Sequence, residues 1–166
     1  MNFSIRQASK EEKYIAFELL KAAALRLQSA KIDQWQYWID PPEYKVKWLE
    51  KGFELGEYFF ASMNDQIVAM YRLSHEDLEY WGVQNDNAKY LHSLVINPKY
   101  AGQSLGSKIL NEVENQLQLE SIPLLRLDCH SGNKRLCAYY ENRGFIRKGE
   151  VTMPHSKNNL YEKKLL

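Results

Sequence analysis

Apolar positions recur along this chain with two periods, and the switches between them mark its elements. Phe3 and Ile5 open an alternating run that ends at Ala8, the period of a strand. Ser9 and Glu12 then form an S-x-x-E capping box. Ile15, Leu19, Leu20, Ala23 and Leu27 follow at helical spacing, which carries a helix to Ser29 or Ala30. After a loop containing Trp35, Tyr37 and Trp38, the sequence Asp40-Pro41-Pro42 predicts a second helix entry and a helix from Tyr44 to Gly52. Two β-rich runs, Glu57 to Met63 and Gln66 to Ser74, are separated by Asn64 and Asp65, a hairpin spacing. The polar, acidic stretch from His75 to Asn87 reads as a loop. Tyr90 to Ile96 reads as a buried strand stopped by Pro98, and Leu105, Ile109, Leu110, Val113 and Leu117 share one helical face. Leu124 to Cys129 is another buried strand. Asn133 caps a helix that Gly144 ends, and Ile146 to Met153 and Leu160 to Leu166 close the chain as antiparallel strands.

The order is βααβββαβαββ. Strand-helix-strand in the middle implies a parallel crossover and the hairpins imply antiparallel neighbours. The expected fold is therefore α/β, with a mixed, mostly antiparallel twisted sheet and helices on both faces. At 166 residues, the chain is read as one domain, 1–166.

Composition narrows the function. Lys plus Arg number 22 against 21 Asp plus Glu, with no basic stripe of the kind that tracks a phosphate backbone, so nucleic acid is not an expected partner. Cys129 and Cys137 lack CxxC spacing and paired histidines, which argues against a structural metal site and for reduced thiols in a cytoplasmic protein. No stretch approaches the roughly 20 apolar residues of a membrane span, and the N-terminus lacks the apolar core of a signal peptide.

The chemically informative segment runs from Leu94 through Val95, Ile96 and Asn97 to Ala101, Gly102, Gln103, Ser104, Leu105, Gly106 and Ser107. A buried strand enters a glycine-containing turn, and the turn enters an amphipathic helix. The first N–H groups of such a helix have no partner of their own, and its dipole adds about half a positive charge. The turn can therefore cradle a pyrophosphate, and glycine leaves space for that ligand against the backbone.

With the later run Asn133-Lys134-Arg135-Leu136-Cys137-Ala138-Tyr139-Tyr140-Glu141-Asn142-Arg143-Gly144-Phe145, this segment and the element order resemble the GNAT superfamily of acyl-CoA-dependent N-acyltransferases. The family's R/Q-x-x-G-x-G/A turn falls on Ala101, Ser104 and Gly106, of which Gly106 matches. Its N-x-x-A-x-x-x-Y-x-x-x-G-F pattern falls on Asn133, Leu136, Tyr140, Gly144 and Phe145, with only the alanine changed. The resemblance implies acetyl-CoA as cosubstrate without a metal. It implies a cofactor site of Leu94 to Ile96, Ala101 to Ser107, Asn133 and Tyr140. It also implies that the strands of Leu94 to Ile96 and of Leu124 to Cys129 splay apart, so that the pantetheine arm adds to the exposed edge like a strand. Tyr140 is the implied catalytic residue, giving a proton to the departing thiolate.

The resemblance further implies an amine of a small molecule or a peptide as acceptor, and some group must take its proton, since a lysine-like amine has a pKa near 10.4. His92, Glu76, Asp77 and Glu79 are candidates, each with a bland alternative as a satisfied strand histidine or a solvated loop acid. Asp128 can orient its neighbours, and Cys129 is a candidate nucleophile that direct transfer does not need. Trp35, Tyr37, Trp38, Tyr80 and Trp81 either line an acceptor pocket or pack helices against the sheet. A non-catalytic acyl-CoA sensor is the competing reading, motivated by Ala101 and Ser104. A homodimer is the default oligomer.

Overall fold

The computed structural model describes residues 2–166. Its elements are β1 (Phe3–Gln7), α1 (Lys13–Ser29), α2 (Glu43–Glu54), β2 (Tyr58–Met63), β3 (Gln66–Ser74), β4 (Ala88–Ile96), α3 (Leu105–Leu119), β5 (Leu124–His130), α4 (Lys134–Asn142), β6 (Ile146–Met153) and β7 (Ser156–Lys164). The βααβββαβαββ order is as expected. The seven strands form one mixed sheet in the order β1-β2-β3-β4-β5-β7-β6, with β4 and β5 parallel. Pairs β1/β2, β2/β3, β5/β7 and β6/β7 are antiparallel.

The chain divides into two compact units, one holding residues up to Leu73 with Ser93–Ile109, the other Ser74–His92 with Leu110–Leu166. In the first, α1 and α2 bury Leu19, Leu20, Ala24, Leu49 and Phe53 with Tyr58, Phe60, Met70 and Val95. Trp38 is 3% exposed inside this core, and Trp35 and Tyr37 pack against it. In the second, β5 and β7 pair from Leu124↔Lys164 to His130↔Asn158, and β6 and β7 from Ile146↔Glu162 to Met153↔Ser156 with a shift of register between Arg147 and Gly149.

The local signals explain the boundaries. Both halves of the Ser9/Glu12 capping box form, on a short 3₁₀ turn, Lys10–Glu12, that precedes α1. Asn64 and Asp65 both take positive φ, 48° and 64°, the conformation of a two-residue hairpin without glycine. Gly144 has φ 87° after α4, as its place past a helix end requires. Gly52, expected as the end of α2, lies inside it. A Cβ there would stand 2.6 Å from Tyr58 Cε2 and 2.8 Å from the Arg72 guanidinium, so close packing and not helix termination is its reason. β7 begins at Ser156 and not Leu160, because Ser156, Lys157, Asn158 and Asn159 are polar and their strand pairing with β6 is invisible to an apolar count.

Candidate active site

Of the residues the sequence predicts for a cofactor, Leu94 to Ile96 and Ala101 to Ser107 lie on β4, on the turn after it and on α3, in the first unit. Asn97 anchors the turn: its N–H donates to Val68 O at 2.8 Å, and its Oδ1 accepts from the N–H of Lys99 at 3.1 Å. A single 3₁₀ turn, Pro98–Tyr100, follows, and the chain then passes through left-handed conformations at Gly102 (φ 79°) and Ser104 (φ 56°). Ser104 takes the backbone geometry that favours glycine although it carries a side chain. The first hydrogen bond of the new helix runs from Lys108 N–H to Ser104 O at 3.1 Å. The amides of Leu105 and Gly106 therefore precede any intrahelical acceptor. A Cβ built on Gly102 or Gly106 meets nothing within 4 Å, so the space beside both glycines is open. Leu105, 5% exposed, is buried.

On β4, Val95 points into the core, so what it offers a ligand is its main chain; Leu94 and Ile96 are half-buried. The parallel pairing of β4 with β5 is short, running from Ala88↔Leu124 to Leu91↔Leu127. Ser93, just past its end, has φ 53°, a left-handed kink within a strand. Asp128, Cys129 and His130 continue the ladder of β5 with β7.

In the second unit, Asn133 caps α4, its Oδ1 accepting from the N–H of Leu136 at 3.2 Å. Tyr140, about two turns further, is 7% exposed. Its ring meets the edges of Phe145 at 5.6 Å and Tyr139 at 5.5 Å. Burial, with Cys129 and Tyr139 nearby, pushes its phenol above the ordinary tyrosine range, so it holds its proton at neutral pH. Cys129 Sγ lies 3.3 Å from Cys137 Sγ, and burial raises the Cys129 thiol well above its usual range, which leaves little thiolate for nucleophilic work.

The sequence named His92, Asp77 and Asp128 separately; the structure joins them. His92 Nε2 is 3.0 Å from Asp77 Oδ2, and its Nδ1 is 3.4 Å from Asp128 Oδ1, with all three side chains nine-tenths or more buried. Burial alone would lower the imidazole pKa, but the bonds to Asp128 and Asp77 outweigh it and raise it to about 9. His92 is thus a cation at neutral pH and not a ready base. Among the described residues these three also bring ligand atoms within 4.8 Å of one another, the spacing a metal ion would need. Glu76 and Glu79 are not part of the cluster: both are exposed.

Two parts of this region escaped the sequence. Asn158 on β7 donates from Nδ2 to Asp128 Oδ2 at 2.6 Å. Arg126 on β5 binds Asp86 at 2.6 Å, Glu162 at 2.8 Å and the Tyr90 hydroxyl at 2.8 Å, and lies over the Trp81 ring at 4.9 Å, pinning the loop before β4. Tyr80 stacks obliquely on His92 at 5.9 Å, its hydroxyl 3.3 Å from His155 Nε2. These aromatics all take part in packing. A signal for Arg126 was present in the alternation Leu125-Arg126-Leu127, a charge inside a buried strand.

The profile of a family described as the acetyltransferase (GNAT) family matches residues 24–145. An uncharacterized N-acetyltransferase of Bacillus subtilis (strain 168), YesJ, is 27% identical over 119 residues, 69% of this chain and 64% of its own length. The chain therefore matches somewhat less than two thirds of that relative. A GNAT-family acetyltransferase of Listeria monocytogenes 4b F2365 shares the fold with a TM-score of 0.78 at 24% identity, covering 98% of this chain and 94% of that one. The PaiA N-acetyltransferase of Thermoplasma acidophilum, solved with coenzyme A, superposes with a TM-score of 0.65 at 20% identity over 99% of both chains.

Proposed function

The chain belongs to the acetyltransferase (GNAT) family, and from that premise we propose that it transfers an acetyl group from acetyl-CoA to a primary amine of a small molecule or peptide by direct attack. The observation that carries this reading is the open turn at Gly102 to Gly106, where a Cβ added at either glycine would meet nothing within 4 Å and so leaves space for a ligand beside the backbone. The Ala101 N–H is taken by Pro98 O at 3.3 Å, so in this proposal the diphosphate lies on the amides of Gly102 to Gly106, and the pantetheine arm runs along the main chain of Leu94 to Ile96 and past Asn133. The early end of the β4/β5 pairing supports the second contact, since β4 beyond Leu91 no longer needs β5 as its partner. We propose that residues 1–166 work as one domain and that the site needs no metal.

Acetyl-CoA supplies the activated acyl group. As the acceptor nitrogen bonds to the carbonyl carbon and the carbon–sulfur bond breaks, the electron pair leaves on sulfur and Tyr140 gives its phenolic proton to it. The nitrogen sheds protons as it is acylated: one replaces the proton lost by Tyr140, and for an acceptor bound as ammonium a second is released to solvent. The raised affinity of Tyr140 for its proton keeps this acid loaded at working pH, and general acid help of this kind contributes about 10²–10⁴ in rate.

Release of free CoA thiol from acetyl-CoA across a panel of primary amines tests the proposal. Turnover with at least one amine is expected. Tyr140→Phe is expected to lower kcat by about 10²-fold or more while thermal stabilisation by CoA persists. Stabilisation by CoA with no turnover on any amine would instead favour a binding module.

A further inference from the structure

The chain has two cysteines, and the fold of the second unit brings them into contact. Cys129 lies on β5 and Cys137 at the end of the first turn of α4; their sulfurs are 3.3 Å apart and both thiols are free. Each backbone is fixed locally. Cys129 pairs with Asn159 in the β5/β7 ladder, and the N–H of Cys137 donates to Asn133 O at 3.0 Å in the capped start of α4. The Cys137 thiol points at His130 O, 3.7 Å away, and Asn159 Nδ2 donates to Cys137 Sγ at 3.6 Å. Loss of both thiol hydrogens strands none of these groups. His130 O keeps the N–H of Asn133 at 3.0 Å, and Asn159 Nδ2 keeps a sulfur to donate to. Small apolar side chains would serve packing alone just as well; two sulfurs in contact can also bond to each other.

We propose that Cys129 and Cys137 are an oxidation site at which a peroxide forms a reversible internal disulfide, and that this bond switches off acetyl transfer through Tyr140. The second half rests on the acetyltransfer reading above; the first does not. One sulfur, as thiolate, attacks a peroxide oxygen. The O–O bond breaks, the sulfur becomes a sulfenic acid, and the other oxygen leaves with a proton as water. The second sulfur then attacks the first, the S–O bond breaks, and a second water departs. In all, two thiols give up two electrons and two protons, and the peroxide takes both. Because the sulfurs already touch, closing the ring costs little further ordering of the chain. Burial keeps the Cys129 thiol protonated, so the pair stays reduced until oxidant is abundant, and it answers to a molecule little larger than water.

A disulfide bond is about 2.05 Å long, so the sulfurs must approach each other from 3.3 Å. β5 is held along its whole length by β7, from Leu124↔Lys164 to His130↔Asn158, whereas α4 is a helix of 9 residues. The helix therefore gives way. Tyr140 stands about one turn after Cys137 on it, and a misplacement of about 1 Å at a reacting group costs about 10²-fold in rate.

The test exposes the full-length protein to hydrogen peroxide, removes the excess with catalase, unfolds the chain in N-ethylmaleimide and weighs it by mass spectrometry. Both cysteines should be alkylated before oxidation, neither after it, and both again after dithiothreitol. A tryptic fragment joining residues 127–134 to 136–143 should appear only in the oxidised sample. Methionine oxidation changes the mass but not the alkylation count. Two alkylated cysteines after peroxide, a covalent dimer in place of the internal bond, or irreversible loss to sulfinic acid would overturn the site. In turnover on the amine panel, kcat of the oxidised protein should fall about 10²-fold and recover with dithiothreitol. Cys137→Ser should keep its activity through the same treatment, with Cys129→Ala in its place should the first variant not fold. A disulfide that leaves kcat unchanged, or an equal peroxide loss in parent and folded variant, would overturn the switch. A disulfide in a protein that turns over no amine removes the acetyltransfer reading, and the switch with it, and leaves the oxidation site. Turnover that persists with both thiols intact after peroxide does the reverse.

Discussion

At Gly106 the absence of one methyl group separates two properties that usually move together. The residue sits in the first turn of α3, where alanine is the better helix former, and a Cβ would meet nothing within 4 Å. Gly106→Ala should therefore fold at least as stably as the parent, by up to about 1 kcal/mol in urea denaturation. In the proposed complex, the same methyl group occupies the place of a phosphate oxygen, so CoA affinity should fall by about tenfold or more. Equal CoA affinity in the two proteins would show that the diphosphate lies elsewhere. Two residues away, Ser104 shows how a departure from a family pattern can spare its geometry. Its φ of 56° lies in the left-handed region that favours glycine.

Between elements, the loop before β4 is held by two electrostatic clusters, the buried Arg126 with the exposed Asp86 and with Glu162, and the buried His92 with Asp77 and Asp128. The second has a pH signature with a definite sign. His92 binds its proton more tightly folded than unfolded, so its contribution is complete below the ordinary histidine pKa near 6.5 and is lost as pH climbs towards 9. Unfolding free energy, measured with urea at pH 6, 7.5 and 9, should fall over that window by on the order of 3 kcal/mol. His92→Gln should flatten the slope, and a parent protein equally stable at pH 6 and 9 would show the ring to be neutral. None of this clamp was readable as a unit. His92, Asp77 and Asp128 were each visible as candidates, but they are joined only by the β4/β5 pairing and a loop fold. Asn158 stood in a polar run that gave no strand signal. By contrast, the Asn64-Asp65 hairpin, the Ser9/Glu12 box and the Asn133 cap were legible because each is a short-range rule complete within four residues. Gly52 misled for the converse reason: what it makes room for, Tyr58 and Arg72, comes from other elements.

For the molecule as a whole, the element order and the parallel β4/β5 crossover were present in the hydrophobic pattern, since they follow from period and connection length. The left-handed kink at Ser93 was not, because nothing about a serine between His92 and Leu94 announces a positive φ. Among the described residues, no helix is long and apolar enough to cross a membrane. The central claim is that the turn from Gly102 to Gly106 binds a diphosphate through backbone amides. Titration calorimetry comparing coenzyme A with pantetheine, which lacks the nucleotide and both of its bridging phosphates, addresses it directly. The account predicts saturable one-to-one binding of coenzyme A and binding of pantetheine weaker by about 100-fold or more. No heat with coenzyme A, or equal affinity for the two ligands, would contradict it.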